Sequence, residues 1–254
     1  MNIGLYSDLH LELSQPWQPP SLDVDVVMLA GDIGHKSQGI EWARHTFPDK
    51  RIVFVAGNHE FYRGSLCDLD QMREAAEHAN VDFLENDMVV IDGTRFLGGI
   101  LWSNFALYGE GKLKSCAMRA ARESIRDYSA ISGHDGKYIE PRDTARLHSD
   151  TVAFLDAELA KPFDGKTVVV THFPPHREAI EPCYKGQPLT AYFVSDLAWL
   201  MAKHKIDLWA FGHTHYNIDF IAENGCRVVA NQRGYAREFA THDNGFRVNL
   251  VIEL

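Results

Sequence analysis

Apolar residues fall along this chain in short, nearly continuous stretches. Residues 3–6, 25–30, 52–55, 167–171 and 207–211 are built from aliphatic, aromatic and β-branched side chains. Runs of that length without alternation belong to strands covered on both faces. Between them the apolar period lengthens. Helices are expected over residues 37–47, closed by Pro48; from a Ser65 cap to about Ala79; over 114–128; from Pro141 onward, with Val152, Leu155 and Leu159 as a core-facing stripe; and from a Ser195 cap to about His204. Shorter strands are expected at 81–84, 88–91 and 95–99. The segments 217–222, 227–230 and 246–252 read as antiparallel strands, with Asn224-Gly225 as a hairpin turn. Residues 14–20 carry Pro16, Pro19 and Pro20 and are expected as an irregular loop whose Trp17 covers apolar surface. No repeat, low-complexity tract or linker interrupts this pattern, so one domain over residues 1–254 is expected.

Composition adds exclusions. The 45% hydrophobic content suits a soluble globular protein, and no apolar run approaches the roughly 20 residues that span a bilayer. The chain enters a strand pattern at Asn2 with neither a basic nor an apolar leader, so no cleaved signal is expected. Cys67, Cys116, Cys183 and Cys226 are far apart and form no C-x-x-C pair, which points to free thiols in a reducing cytoplasm. The formal net charge of -10 argues against a nucleic-acid coat protein but leaves room for a small phosphorylated substrate at a locally positive site.

Histidine changes the picture, at 13 residues. Polar side chains follow five of the strand-like runs at once: Asp8 and His10, then Asp32, then Asn58 and His59, then His172, then His213 and His215. In a mainly parallel sheet fed by helical crossovers these ends share the carboxyl edge, where such folds bind ligands. One histidine after a strand is ordinary. Five strand ends supplying only metal-compatible groups are not explained by turn chemistry, because buried charges and imidazoles need partners. Carboxylate with imidazole suits Mn, Fe, Zn, Co or Ni. The ligand set exceeds one ion and fits two divalent ions sharing a carboxylate. Such a pair attracts an anion, activates a bridging water as a hydroxide nucleophile and stabilises displacement at phosphorus.

The blocks Asp8-Leu9-His10, Gly31-Asp32, Gly57-Asn58-His59-Glu60, His172 and Gly212-His213-Thr214-His215 resemble, in order, those of the calcineurin-like metallophosphoesterase superfamily. The resemblance implies an α/β fold, a four-layer α-β-β-α sandwich of two mixed β-sheets flanked by helices. It implies that Asp8, His10, Asp32 and His215 hold one metal and that Asp32, Asn58, His172 and His213 hold the other, with Asp32 as bridge. It assigns His59 to the phosphate and to protonation of the leaving oxygen, which a poor leaving group needs. Glu60 is expected to orient a histidine, and Gly57 to let the backbone turn sharply. The Ser/Thr protein phosphatases carry D-R-G after the aspartate motif and an arginine before the Asn-His block. Here Asp32-Ile33-Gly34-His35 and Ala56 stand in those places, and Phe173 stands where other members have a second histidine.

The resulting expectation is a metal-dependent hydrolase of a small phosphodiester or phosphomonoester, the diester favoured. The alternatives are a non-catalytic scaffold, which lost ligands would mark, and a nuclease, which would need a basic, aromatic-lined groove. His176, Tyr62 and Arg63 are weaker candidates for substrate contact, with His35 beside them. His45, His78, His134, His148, His204 and His242 are read as ordinary surface or core residues. The segments 101–138 and 174–188 are expected to shape the pocket. Natural substrate, native metal and oligomeric state are not legible.

Overall fold

The computed structural model describes residues 1–13, 17–239 and 243–254. Pro16 and His242 lie outside them. Thirteen strands occur among the described residues: β1 Asn2–Tyr6, β2 Val26–Ala30, β3 Arg51–Val55, β4 Gly64–Ser65, β5 Asp82–Phe83, β6 Asp87–Ile91, β7 Thr94–Gly99, β8 Ile131–Ser132, β9 Lys166–Thr171, β10 Leu208–Phe211, β11 Asp219–Ile221, β12 Arg227–Ala230 and β13 Val251–Glu253. The α-helices are α1 Gln38–Thr46, α2 Asp68–Ala79, α3 Lys112–Ser124, α4 Asp127–Ala130, α5 Pro141–Leu159, α6 Thr190–Phe193, α7 Ala198–Lys203 and α8 Ala236–Phe239.

Eleven of these strands divide between two mixed sheets, as the resemblance implied, and β4 and β8 pair with each other in a short parallel ribbon. The first has the order β13-β1-β2-β3-β5, parallel except for β13. The second has the order β11-β12-β10-β9-β7-β6, parallel in its centre and antiparallel at both edges. Alternation along each strand explains the layers. Val26, Met28 and Ala30 of β2 meet Val168, Val170 and Ala210 of the other sheet in one buried core. Val27 and Leu29, on the opposite face, pack with Ile40 and Ala43 of α1. Leu97 and Val169 of the second sheet belong with Leu155 of α5 and Leu200 of α7 to that same outer cluster. Both faces of both sheets are thus buried, which is why the central strands read as unbroken apolar runs.

Several expectations shift. The 114–128 helix is two, because Ile125 is extended (ψ 130°) and ends α3 before α4. Ser65 lies in β4, although it does exchange capping-type bonds, with its Oγ accepting from Cys67 N at 3.0 Å and its N donating to Asp68 Oδ2 at 3.2 Å. Ser195 caps nothing; α7 begins after Leu197. β11 and β12 do form the antiparallel pair around Asn224-Gly225, but β12 continues the sheet parallel to β10, and β13 crosses to β1. No helix among the described residues is long and apolar enough to cross a membrane.

The two sheets are joined where the candidate site lies. Ser7, just past β1, bridges to Gln232, just past β12. Ser7 N donates to Asn231 O at 3.1 Å, and Arg233 N donates to Ser7 O at 3.1 Å. The carboxyl ends of β1, β2 and β3 therefore face those of β9, β10 and β12.

Candidate metal centre

Three of the five motifs turn away from their strands through unusual backbone. Asp8, His10, Asp32, His213 and His215 all have positive φ, from 48° to 79°. In that region a residue with a Cβ costs about 1–3 kcal/mol, and such residues cluster at functional sites. Specific hydrogen bonds hold them there. Asp8 N and His10 N donate to the carbonyls of Gly31 and Asp32, both at 3.0 Å. His213 N donates to the Asp8 carboxylate (3.0 and 3.1 Å), and His215 N to Gln232 Oε1 at 2.6 Å.

Glycines make room. A Cβ on Gly57 would sit 2.7 Å from Asp32 N and 2.8 Å from the His172 ring, with Asp32 Oδ1 closer still. One on Gly212 would sit 2.6 Å from Asp8 Oδ2 and 2.9 Å from Ala30 O. Gly57 does not have positive φ; it is needed for close approach, not for a sharp turn. Glu60 also differs from expectation. Its buried carboxylate accepts from the backbone N–H groups of Gly57 (2.6 Å), Asp32 (3.0 Å), Ile33 (2.8 Å) and Gly34 (3.3 Å). It staples the loop after β3 to the loop after β2 and makes no hydrogen bond to a histidine among the described residues. Burial and the neighbouring Asp32 charge push it up to about 7.

The side chains converge in two linked groups. Ligand atoms of Asp8, His10 and His215 lie within 4.8 Å of one another, as do those of Asp32, His172 and His213. Asp32 spans them: its Oδ1 is 3.4 Å from His172 Nε2 and its Oδ2 is 3.9 Å from His10 Nε2. The outer partners fix the tautomers. Glu12 and Glu238 carboxylates can only accept, so His10 Nδ1 (3.2 Å) and His215 Nδ1 (2.7 Å) carry protons; His172 Nδ1 likewise donates to Ala30 O at 2.9 Å. All three Nε2 lone pairs then point inward.

They point at other acceptors. His10 Nε2 and His215 Nε2 face each other at 3.1 Å, and His172 Nε2 faces Asn58 Oδ1 at 3.1 Å. Asn58 cannot rotate away, because its Nδ2 donates to Asp127 Oδ1 at 3.0 Å. His213 Nε2 is buried with no partner among the described residues. Between neutral rings such opposed lone pairs call for a cation, either a proton or a metal ion. The pKa shifts report that demand: burial opposes a charge on His172 and His215, yet Asp32 raises the first to about 9, and Asp8 with Glu238 raises the second to about 10. Burial opposes the Asp32 charge too, but the surrounding imidazoles hold its pKa well below the usual carboxylate range. The donor set and its geometry fit two divalent cations, one in each group, with Asp32 between.

His59 joins the first group: its ligand atom lies within 4.8 Å of those of His10 and Asp32, with its Nε2 3.9 Å from Asp32 Oδ2. Its Nδ1 donates to Glu12 Oε1 at 2.9 Å, the oxygen that also takes the His10 proton. Its Nε2 is 3.2 Å from the Tyr235 hydroxyl, and its ring stacks on Tyr62 at 4.2 Å. Burial works against the imidazolium, but Asp32 and Glu12 outweigh it and raise the His59 pKa. Glu12 itself is held down to about 2 by His10 and His59 against the cost of burial.

A cleft of about 540 Å³ opens over Asp32, Asn58, His59, His213 and His215. Its walls come from Ile125–Asp127, from the segment 179–194 and from Tyr235–Glu238, so both segments expected to shape the pocket do so. Tyr62 lines it, but its hydroxyl is committed to Asp127 at 2.8 Å. Arg63 lines an adjoining pocket together with His35. His176 lines neither: its Nδ1 accepts from Glu178 N at 3.1 Å and its Nε2 lies 3.3 Å from Glu223. Phe173 stacks on His213 at 3.8 Å and fills the space of a second histidine with packing. The sequence alone does not single out Glu12, Asp127, Tyr235 or Glu238. Only Glu12 carried a signal, two residues beyond His10 on the same period that joins His10 to Asp8.

A family model described as calcineurin-like phosphoesterase matches residues 1–217. The chain belongs to the calcineurin-like phosphoesterase family. It is a metal-dependent phosphoesterase by that membership. An uncharacterized protein of Acanthamoeba polyphaga mimivirus is 27% identical over 264 residues, covering 91% of this chain and 90% of its own. Among solved structures, a phosphopantetheinyl hydrolase from Mycobacterium tuberculosis superposes with a TM-score of 0.74 at 19% identity, covering 95% of this chain and 92% of that one. A dimetal phosphatase from Danio rerio has a TM-score of 0.53 at 14% identity, covering 90% and 86%. These likenesses show that the fold is shared.

Proposed function

We propose that this calcineurin-like phosphoesterase hydrolyses small phosphodiesters, with Asp8, His10, Asp32 and His215 holding one divalent ion and Asp32, Asn58, His172 and His213 holding the other. The observation that carries the reading is the pair of places where buried lone pairs oppose each other on either side of Asp32. Divalent ions there supply Lewis acidity toward water and phosphate oxygens. The chain supplies the rest. Glu12 keeps the proton of His59 on Nδ1 in the neutral ring, so the second proton of the imidazolium sits on Nε2, toward the cleft. From there His59 protonates the departing alkoxide, whose oxygen takes the place beside Nε2 that the Tyr235 hydroxyl holds at 3.2 Å. Ile125, Ile180, Leu189 and Phe193 give the cleft an apolar wall for the ester group. The diester reading rests on the lack of the D-R-G arginine that the Ser/Thr protein phosphatases carry.

Metal analysis with a substrate panel tests this. Purified protein should hold about two divalent ions per chain, lose activity on chelation and regain it with Mn, and prefer diesters, acyclic or cyclic, over monoesters. Asp32→Ala should lose more metal and more activity than His215→Ala, because it serves both groups. Protein that holds no metal and gains nothing from Mn would overturn the reading.

A further inference from the structure

Behind the wall formed by His59 and Tyr235 lies a second concavity of about 480 Å³. Three arginines reach it from separate parts of the chain: Arg63 after the His59 helical turn, Arg126 at the break between α3 and α4, and Arg237 in α8. All three are exposed, and none makes an ion pair among the described residues. Arg126 and Arg237 line the main cleft as well. The Arg126 guanidinium lies 5.5 Å from the Tyr62 ring centre and that of Arg237 lies 5.1 Å from the Tyr235 ring centre. Those two rings flank His59, at 4.2 and 6.1 Å between centroids. Two arginine–tyrosine pairs therefore bracket the candidate proton donor. Arg63 stands close enough to depress the His35 pKa, after burial and the His59 charge.

Three guanidinium groups that make no ion pair among the described residues, only Arg237 feeling the nearby Glu238 charge, repel one another in an otherwise acidic molecule and gain by holding an anion. Among the described residues the one carboxylate lining this pocket, Glu12, is already committed to His10 and His59. We propose that this pocket is a second anion subsite, in which Arg63, Arg126 and Arg237 hold a phosphate group of the substrate remote from the ester that is cleaved. The substrate class is then a small phosphoester with a second phosphate on the side of the leaving or retained group. This rests on the phosphodiesterase reading for its biological sense, but the subsite itself requires no metal.

Binding and turnover are read separately. In protein treated with chelator, thymidine 3′,5′-bisphosphate should raise the melting temperature while thymidine does not, and the Arg126→Ala/Arg237→Ala double variant should lose that rise. No rise in the parent protein, or an equal rise in the variant, overturns the subsite. With Mn present, thymidine 5′-(p-nitrophenyl phosphate) is compared with the same ester carrying a 3′-phosphate. The second phosphate should raise kcat/KM by about tenfold, and the ratio should fall toward one in the double variant. A ratio near one in the parent, or one unchanged by the double substitution, counts against the proposal. If neither ester is cleaved, the phosphoesterase reading fails, and the chelated-protein measurement still decides the subsite.

Discussion

Glu12 offers one oxygen to two imidazoles, at 3.2 Å to His10 and 2.9 Å to His59. It thereby couples a candidate metal ligand to the candidate acid. Its charge is among the causes that lift the His59 pKa once burial has been overcome. Activity that needs protonated His59 is present below that pKa and lost above it. Glu12→Gln removes the charge, so the alkaline limb of the pH–rate profile should move to lower pH; an unmoved limb would remove His59 from the acid role. His59→Ala should keep its metals but lose far more turnover on alkyl than on p-nitrophenyl esters, since only the poor leaving group needs a proton. Equal losses on both would be the contrary result. Gly57→Ala should destabilise the fold by about 1–3 kcal/mol, as overpacking does, because the new methyl meets the Asp32 backbone and the His172 ring. Urea unfolding measures that loss.

At the scale of elements, α5 supports the site from outside it. His148 on this helix is buried and donates from Nδ1 to Leu101 O at 2.9 Å. Leu101 and Trp102 both have positive φ, and Trp102 packs on Phe173 (5.6 Å), which stacks on His213. Burial drops the His148 pKa from 6.5 to about 4. Between those values the unfolded chain binds more protons, so stability rises with pH through the window and is lost as pH falls from 6.5 toward 4. The full effect is about 3 kcal/mol. His148→Gln should show a shallower fall in unfolding midpoint between pH 7 and 4.5 than the parent; parallel curves would contradict this. The sequence made the central strands legible because both faces of each are buried. It did not reveal which sheet a strand joins, since strands of both sheets carry the same unbroken apolar pattern. The residues at strand ends were legible as a set for the same reason. Asp127, Tyr235 and Glu238 were not, because each matters only through the side chain it meets from a distant part of the chain. Asp127 is the clearest case: it is fully buried against Asn58, Tyr62 and Tyr192, and nothing local distinguishes it from a helix-start aspartate.

For the whole molecule, the candidate centre is a clasp between sheets. Asp8, His10, Asp32 and Asn58 follow strands of the first sheet, and His172, His213 and His215 follow strands of the second. Ions bound to both groups would tie the sheets together and stabilise the folded state by mass action. At a hundredfold excess over the dissociation constant this amounts to about 3 kcal/mol, or roughly 5–10 °C for a chain of this size. Chelation should therefore lower the melting temperature by that order, and Mn should restore it within a single cooperative transition. A melting temperature indifferent to chelator and Mn would show that the clasp is closed without ions.

The pairing of Asn2, Ile3 and Gly4 with Glu253, Ile252 and Val251 has a consequence for biosynthesis. The outer edge of β1 waits for a partner that leaves the ribosome nearly the whole chain later, roughly 10 to 50 seconds at ordinary elongation rates. Throughout that interval a nascent sheet presents an unpaired, apolar edge to whatever else is in reach. The closing strand thus caps an assembly hazard that every newly made copy must pass through.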